Sequence, residues 1–250
     1  MRLEGKTAIV AGGARDIGRS ISIKLASEGA KVAVNYHSSV EGAKETLQTI
    51  QSANGEAILV KGDMTQTADV DRLVSETQSA FGQNVDVLVN VVGGLVARKK
   101  LDEMDQDFFD QVMRLNLNSV FLTTKAVAPH MPKGGSIVNL ASLAGRDGGG
   151  PGASVYATSK AAVMTFTRAM AKELGPRQIR VNALCPGMIS TTFHDTFTKD
   201  EVRAKVAGST PLQREGHPDE CADAVAFLAS NESSFVTGTN IDINGGIYFS

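Results

Sequence analysis

Two cysteines, Cys185 and Cys221, are all that this chain contains. They are too few for a disulfide framework and stand at no metal-ligand spacing, so each reads as a small apolar packing residue and no metal site is expected. An excess of one charge is missing as well. Lysine and arginine number 25 against 27 aspartates and glutamates, a net charge of −2, which excludes a basic nucleic-acid footprint and an acidic tail. Long apolar runs are absent: none reaches the roughly 20 residues that a membrane-spanning helix needs. The first residues, Met1-Arg2-Leu3-Glu4-Gly5-Lys6, carry charge and no apolar signal region. No linker, low-complexity stretch or break in composition divides the chain, so residues 1–250 read as one domain. Together these absences predict a cytoplasmic protein with neither a nucleic-acid nor a membrane partner.

What the chain has in quantity is glycine, 25 residues, within a sequence that is 42% apolar. The apolar share suffices for a full core, and the glycines suggest tight turns and close backbone approach to a ligand. Short apolar runs at Thr7–Ala11, Lys31–Asn35, Ala57–Lys61, Val85–Asn90, Ser136–Leu140, Ile179–Leu184 and Asn240–Ile243 alternate with helical patterns at 17–28, 39–53, 67–81, 105–130, 154–174 and 218–230. Strands that are apolar on both faces and separated by helices predict an α/β fold: a doubly wound, parallel, seven-stranded sheet with helices on both faces. The long stretch without a strand, 186–217, reads as a functional lid, its core at 188–215.

The first strand runs into Gly12-Gly13-Ala14-Arg15-Asp16-Ile17-Gly18, and a helix follows. Such a turn lets backbone approach a pyrophosphate, and the helix N-terminus supplies free N–H groups and partial positive charge. Asp63 follows the third strand, and Asn90 ends the fourth, just before Gly93-Gly94. Ligands bind at the carboxyl ends of parallel strands, so these positions share one rim with the glycine turn.

Tyr156 and Lys160 stand four residues apart in a helical segment, with Ser142 a short loop upstream. Residues at that spacing share a helix face. A lysine beside a phenol stabilises the phenolate, so the Tyr156 pKa is expected to fall from about 10 toward neutrality. A phenol tuned in this way can exchange a proton with a carbonyl or alcohol oxygen, and a nearby serine can hydrogen-bond the same oxygen. Alone, a Tyr-x-x-x-Lys pair is usually no more than a solvated helix face.

In order along the chain stand the glycine turn at 12–18, Asp63, Asn90-Val91-Val92-Gly93, Asn116, Ser142, Tyr156-x-x-x-Lys160, Pro186-Gly187-Met188-Ile189-Ser190-Thr191 and the ending Val236 to Gly246. With these motifs nearly the whole chain resembles the short-chain dehydrogenase/reductase family. The resemblance implies a Rossmann-type fold, a nicotinamide cofactor, and a catalytic set of Asn116, Ser142, Tyr156 and Lys160. By the family pattern Tyr156 handles the proton, Ser142 holds the substrate oxygen, and Lys160 tunes Tyr156 and holds the nicotinamide ribose. Asn116 supports a water that links Lys160 to solvent; apart from the resemblance, it reads as a helix-interior amide bonded to its own backbone. Thr191 holds the nicotinamide amide, with Ile189 and the Pro186-Gly187 turn placing the ring. Gly12, Arg15, Asp16, Ile17, Gly18, Tyr36, His37, Ser38, Asp63, Met64, Asn90 and Gly93 complete the expected cofactor contacts. Three departures stand out: Asp16 replaces the middle glycine of the turn, Val91-Val92 interrupts the usual Asn-Asn-Ala-Gly, and the loop from Ser142 to Tyr156 is one residue longer.

The end of the second strand, Val34-Asn35-Tyr36-His37-Ser38-Ser39, has no acidic residue to bond ribose hydroxyls and repel a 2′-phosphate. Arg15 could pair with such a phosphate, assisted by His37 and Ser38. NADP(H) is therefore favoured, and NAD(H) stays open. The lid is rich in polar residues, among them Thr191, Thr192, His194, Asp195, Thr196, Thr198, Lys199, Arg203 and Lys205. This composition suggests a small hydroxylated or carboxylated carbonyl or alcohol substrate, such as a sugar- or uronate-derived keto compound. Arg146, Gly150 and His194 are the expected substrate contacts. The alternatives are a 3-oxoacyl-carrier-protein reductase and, more remotely, a cofactor-binding regulator without turnover. By resemblance, helices at 105–130 and 154–174 pair across two-fold axes, giving a homotetramer.

Overall fold

The computed structural model describes residues 1–249. Strand and helix alternate in the order β1 (Thr7–Ala11), α1 (Asp16–Ser27), β2 (Lys31–Tyr36), α2 (Val40–Ser52), β3 (Ala57–Lys61), α3 (Thr67–Phe81) and β4 (Val87–Asn90). There follow α4 (Gln106–Met113), α5 (Ser119–Val127), β5 (Ser136–Leu140), α6 (Ala144–Asp147), α7 (Ser154–Leu174) and β6 (Arg180–Pro186). The chain closes with α8 (Thr192–Phe197), α9 (Asp200–Ser209), α10 (Pro218–Ala229) and β7 (Asn240–Ile243). The strands form one sheet in the order β3-β2-β1-β4-β5-β6-β7, with every neighbouring pair parallel. The order reverses direction on either side of β1, and this puts a crevice at the carboxyl ends of β1 and β4.

Strand alternation assigns each side chain to one of two buried faces. Ala8 and Val10 of β1, Val32 and Val34 of β2, and Val138 and Leu140 of β5 pack with Ile21, Leu25, Cys221 and Val225 from α1 and α10. Ile9, Ala33, Leu88 and Ile137 pack on the other face with Val70, Leu73 and Val74 of α3 and Leu174 of α7. Both cysteines are free and buried, as small apolar residues would be.

The seven expected strands are present, with shifted ends in three of them: β2 runs one residue further, to Tyr36, and β6 starts one later, at Arg180. β4 begins at Val87, because Asp86 turns its carboxylate onto the Thr7 amide and Lys6 ammonium. β6 continues to Pro186, which pairs with Ile243 of β7. The segment 105–130 is not one helix. Arg114–Asn118 forms a π turn between α4 and α5, and a 3-10 turn closes the segment at Ala128–His130. Pro129 in that last turn has no amide to continue an α-helical ladder. The segment 188–215, expected to act as a lid, contains α8 and α9 and is anchored at its base by a bridge between Ile189 and Gly216.

Leu88 lies fully buried on β4 between β1 and β5. Leu88→Ala should lower the unfolding free energy by about 2–5 kcal/mol, the usual cost of a cavity at such a site, as read from the urea midpoint at unchanged slope.

Candidate active site

A cleft of about 640 Å³ runs along the carboxyl ends of the central strands. At one end is the glycine turn between β1 and α1. Gly18 must lack a Cβ, since one would collide with the Gly12 carbonyl oxygen. No side chain caps the first turn of α1, so its free amides face the cleft as an anion site of the kind a pyrophosphate uses. Tyr36, His37 and Ser38 from the end of β2, with Asp63 and Met64 after β3, line the same end. None of Tyr36, His37 and Ser38 is acidic. The donor set and the missing Cβ atoms fit a dinucleotide that carries a 2′-phosphate.

At the other end Ser142, Tyr156 and Lys160 meet. α7 brings Tyr156 and Lys160 to the cleft on one helix face, and the turn after β5 brings Ser142. Lys160 is 4% exposed and donates from Nζ to the Leu140 carbonyl at 2.7 Å. Its ammonium stands 5.8 Å from the centre of the Tyr156 ring. Beside it the backbone of Gly93 passes so closely that a Cβ there would lie 2.9 Å from Lys160 Nζ and 2.6 Å from Asn116 Oδ1. Asn116 is turned toward Gly93-Gly94 by the π turn: its Nδ2 donates to the Val112 and Gly94 carbonyls, and its Oδ1 accepts from the Gly94 amide. It therefore stands behind the cleft wall and is bonded both to its own helix and to the neighbouring loop. π turns of this kind recur at functional sites.

The electrostatics reverse one expectation. Burial pushes the Tyr156 phenol above its usual value, with the Ser142 hydroxyl pulling the other way. Burial also lowers the Lys160 ammonium, to about 8. Burial sets the net direction: low-dielectric surroundings disfavour both charged forms, and the resting ammonium is directed at Leu140. Tyr156 is thus protonated at neutral pH, as a proton donor must be.

Gly12, Arg15, Asp16, Ile17, Gly18, Gly93, Gly150, Pro186, Gly187, Ile189, Thr191 and His194 also line the cleft. Asn90 does not. Its amide lies in a buried network, donating to Asn139 Oδ1 at 2.8 Å and accepting from Thr123 Oγ1 at 2.7 Å, and it joins β4 to β5 and α5. Arg146 is not a substrate contact either. It turns away to β7, where it pairs with Asp242 at 3.1 Å and donates to the Asn240 carbonyl. Arg15 reaches the lid, donating to Thr192 Oγ1 at 2.9 Å, which leaves His37 and Ser38 at the adenosine end. Asp16 is held at φ +51°, the left-handed region that explains why a glycine is usual there.

Most polar lid residues also face elsewhere. Arg203 pairs with Glu215 and Asp195, and Thr192, Thr196, Lys199 and Lys205 stand outside the cleft lining. The lid presents Phe193, His194, Thr198, Val202 and Val206. Phe193 stacks 5.9 Å from the Tyr156 ring and 5.2 Å from Phe197. Burial lowers the His194 pKa below its ordinary 6.5, so the ring is neutral. Arg98, on the loop after β4, is a cleft residue that the sequence pattern did not expose, since 94–100 has no periodicity to orient it.

Comparisons with known proteins agree with this geometry. A family model described as enoyl-(acyl carrier protein) reductase matches residues 12–248. A 3-oxoacyl-[acyl-carrier-protein] reductase of Staphylococcus aureus is 37% identical over 245 residues, covering 97% of this chain and 98% of the relative. A probable tetrahydroxynaphthalene reductase of Zymoseptoria tritici is 35% identical over 255 aligned positions, covering 98% of this chain and 95% of the relative. The structure of a short-chain dehydrogenase from Burkholderia cenocepacia in complex with NADP superposes with a TM-score of 0.91 at 35% identity, with 99% of each chain covered.

The depressed Lys160 pKa has a stability consequence. Between about 8 and the ordinary 10.5, the unfolded chain holds a proton that the folded protein has released, so unfolding free energy rises with pH across that window. The stability of the wild type relative to Lys160→Met should therefore increase by about 3 kcal/mol from pH 7.5 to 10.5, measured by urea unfolding of the ligand-free proteins.

Proposed function

The chain belongs to the short-chain dehydrogenase/reductase family of NAD(P)-dependent oxidoreductases, and from that premise we propose that its cleft reduces a carbonyl, or oxidises the matching secondary alcohol, with NADP(H). The observation that carries the reading is Tyr156, Lys160 and Ser142 meeting at one end of a cleft whose other end is an uncapped glycine turn. The nicotinamide, when bound, supplies or accepts the hydride. The chain's own residues handle the rest. Tyr156, protonated because it is buried, gives its proton to the carbonyl oxygen, and Ser142 donates a hydrogen bond to the same oxygen as negative charge develops. Lys160 stands by to stabilise the phenolate left behind, with Asn116 fixing the loop beside it. Gly12, Ile17 and Gly18 hold the pyrophosphate, His37 and Ser38 the 2′-phosphate, and Thr191 with Pro186 and Gly187 the nicotinamide. Residues 1–250 act as one domain with 188–215 as the lid. The non-catalytic regulator reading is set aside because all three proton-handling side chains reach the cleft.

For substrate, the lining favours a ketone on a flat or apolar body over a sugar- or uronate-derived compound. Most of the polar lid residues that suggested the latter stand outside the cleft lining or are paired, leaving only Thr191, Thr198 and neutral His194 among them to face it, and Phe193 packs against Tyr156. The relative named as a tetrahydroxynaphthalene reductase supports a ring-bearing substrate. A 3-oxoacyl thioester is the second reading, supported by the relatives named for that activity. A cytoplasmic homotetramer completes the proposal: Phe109 and Phe121, both 42% exposed on α4 and α5, are apolar surface for a second copy to cover.

Tyr156→Phe should lower kcat/KM by about 10²–10⁴-fold while leaving NADPH binding, read from cofactor fluorescence, unchanged; retained turnover overturns the assignment. Specificity constants measured with NADPH and NADH should favour NADPH. Paired assays with a bicyclic aromatic ketone, an acetoacetyl thioester and a keto-uronate should rank the aromatic ketone first, and a keto-uronate in first place would restore the polar reading.

A further inference from the structure

α8 has six residues and no capping side chain of its own. A helix this short is not stable in isolation, so something outside it must hold it in place. At its first residue, the Thr192 amide donates to Asp16 Oδ1 at 3.0 Å and the Thr192 hydroxyl donates to Asp16 Oδ2 at 2.6 Å. Asp16 belongs to the glycine turn, 176 residues away in the sequence. At the last residue of α8, the Phe197 carbonyl accepts from Arg98 Nε at 3.0 Å, and the same guanidinium donates from Nη1 to the Pro151 carbonyl at 2.9 Å. Arg98 therefore ties the end of α8 to the 148–152 loop across the cleft mouth. The Asp16 carboxylate accepts from the amide end and the Arg98 guanidinium donates to the carbonyl end, the arrangement that the helix dipole favours, and Arg15 of the same turn adds a hydrogen bond to Thr192 Oγ1.

Asp16 also sits in a backbone conformation that suits glycine better, at φ +51°. Strain at such a position is retained where the side chain has a task. A carboxylate turned inward here would repel the phosphates of a dinucleotide; bonded to Thr192, it is directed at the lid. Between the two ties lies Phe193, whose ring packs against Tyr156 on one side and against Phe197, at the second tie, on the other.

We propose that Asp16 and Arg98 are positioning residues that clamp α8 at its two ends across the cleft, placing Phe193 over Tyr156 and closing the reacting centre to water. The positioning role rests on Tyr156 as the proton donor; the clamp itself does not. Both ties are solvent-accessible hydrogen bonds, so they can break to admit substrate and re-form around it.

Hydrogen exchange on the full chain, with and without saturating NADPH, tests the clamp without any turnover. Asp16→Gly removes the acceptor and relieves the backbone, so a folding failure is not expected. Asp16→Asn keeps an oxygen for the Thr192 amide and a donor for the Thr192 hydroxyl. Exchange at 192–197 should rise about tenfold or more in Asp16→Gly and in Arg98→Ala, and should stay near wild type in Asp16→Asn. Arg98→Ala should also loosen 148–152, which Asp16→Gly should not, and the β1 and β5 peptides should be unchanged in all three. Unchanged exchange at 192–197 in either Asp16→Gly or Arg98→Ala overturns the clamp. In the ketone assay, KM should rise about tenfold in both variants, more than kcat falls, with recovery in Asp16→Asn. A KM unchanged in both overturns the positioning role. A wild type that turns over no ketone refutes the proposed function instead, and the exchange data still judge the clamp.

Discussion

The hydrogen bond from Lys160 to the Leu140 carbonyl, 2.7 Å long and almost wholly buried, is the contact on which the site depends. It sets α7 against the end of β5 and so places Tyr156, one turn earlier, at the rim of the sheet. It requires the neighbouring loop to pass without a side chain, which Gly93 does. It leaves Asn116 to hold that loop from the other side, which the π turn between α4 and α5 makes geometrically available. A buried ammonium without such a partner would be strongly disfavoured. The bond thus links the core of the fold to the chemistry at its edge.

The same burial governs the protonation states. Low-dielectric surroundings push the Tyr156 phenol up and the Lys160 ammonium down, so the phenol keeps its proton at rest. The lid extends this environment. Its inward residues include Phe193, Val202, Val206, neutral His194 and the hydroxyls of Thr191 and Thr198, while Arg203 is paired with Asp195 and Glu215. A largely apolar roof over Tyr156 excludes water and strengthens the few polar contacts that remain.

Much of this was legible in the residues. Strands buried on both faces read as short apolar runs, and all seven were found within two residues of their ends. The glycine turn and the four-residue spacing of Tyr156 and Lys160 depend on local geometry alone and were read correctly as positions. The errors share one cause. The π turn that breaks 105–130 sets Asn116 against Gly94. Arg146 is claimed by Asp242, 96 residues on. Asn90 is spent on Asn139 and Thr123 in the core. The direction of the Tyr156 shift is set by how deeply the pair is buried. None of these partners lies near its residue in the chain.

The sequence by itself determined the alternation of strand and helix, the phosphate-cradling turn, and which side chains could serve as acid, base and anchor. Periodicity, glycine sterics and i,i+4 spacing act over a few residues, and any fold of this chain must respect them. Only the tertiary structure decided which of the polar lid residues face the cleft, which way burial moves the phenol, and what Asp16 is for. A carboxylate in a glycine turn is ambiguous until its partner is known, and Thr192 reaches it only after the sheet has brought the two ends of the cleft together.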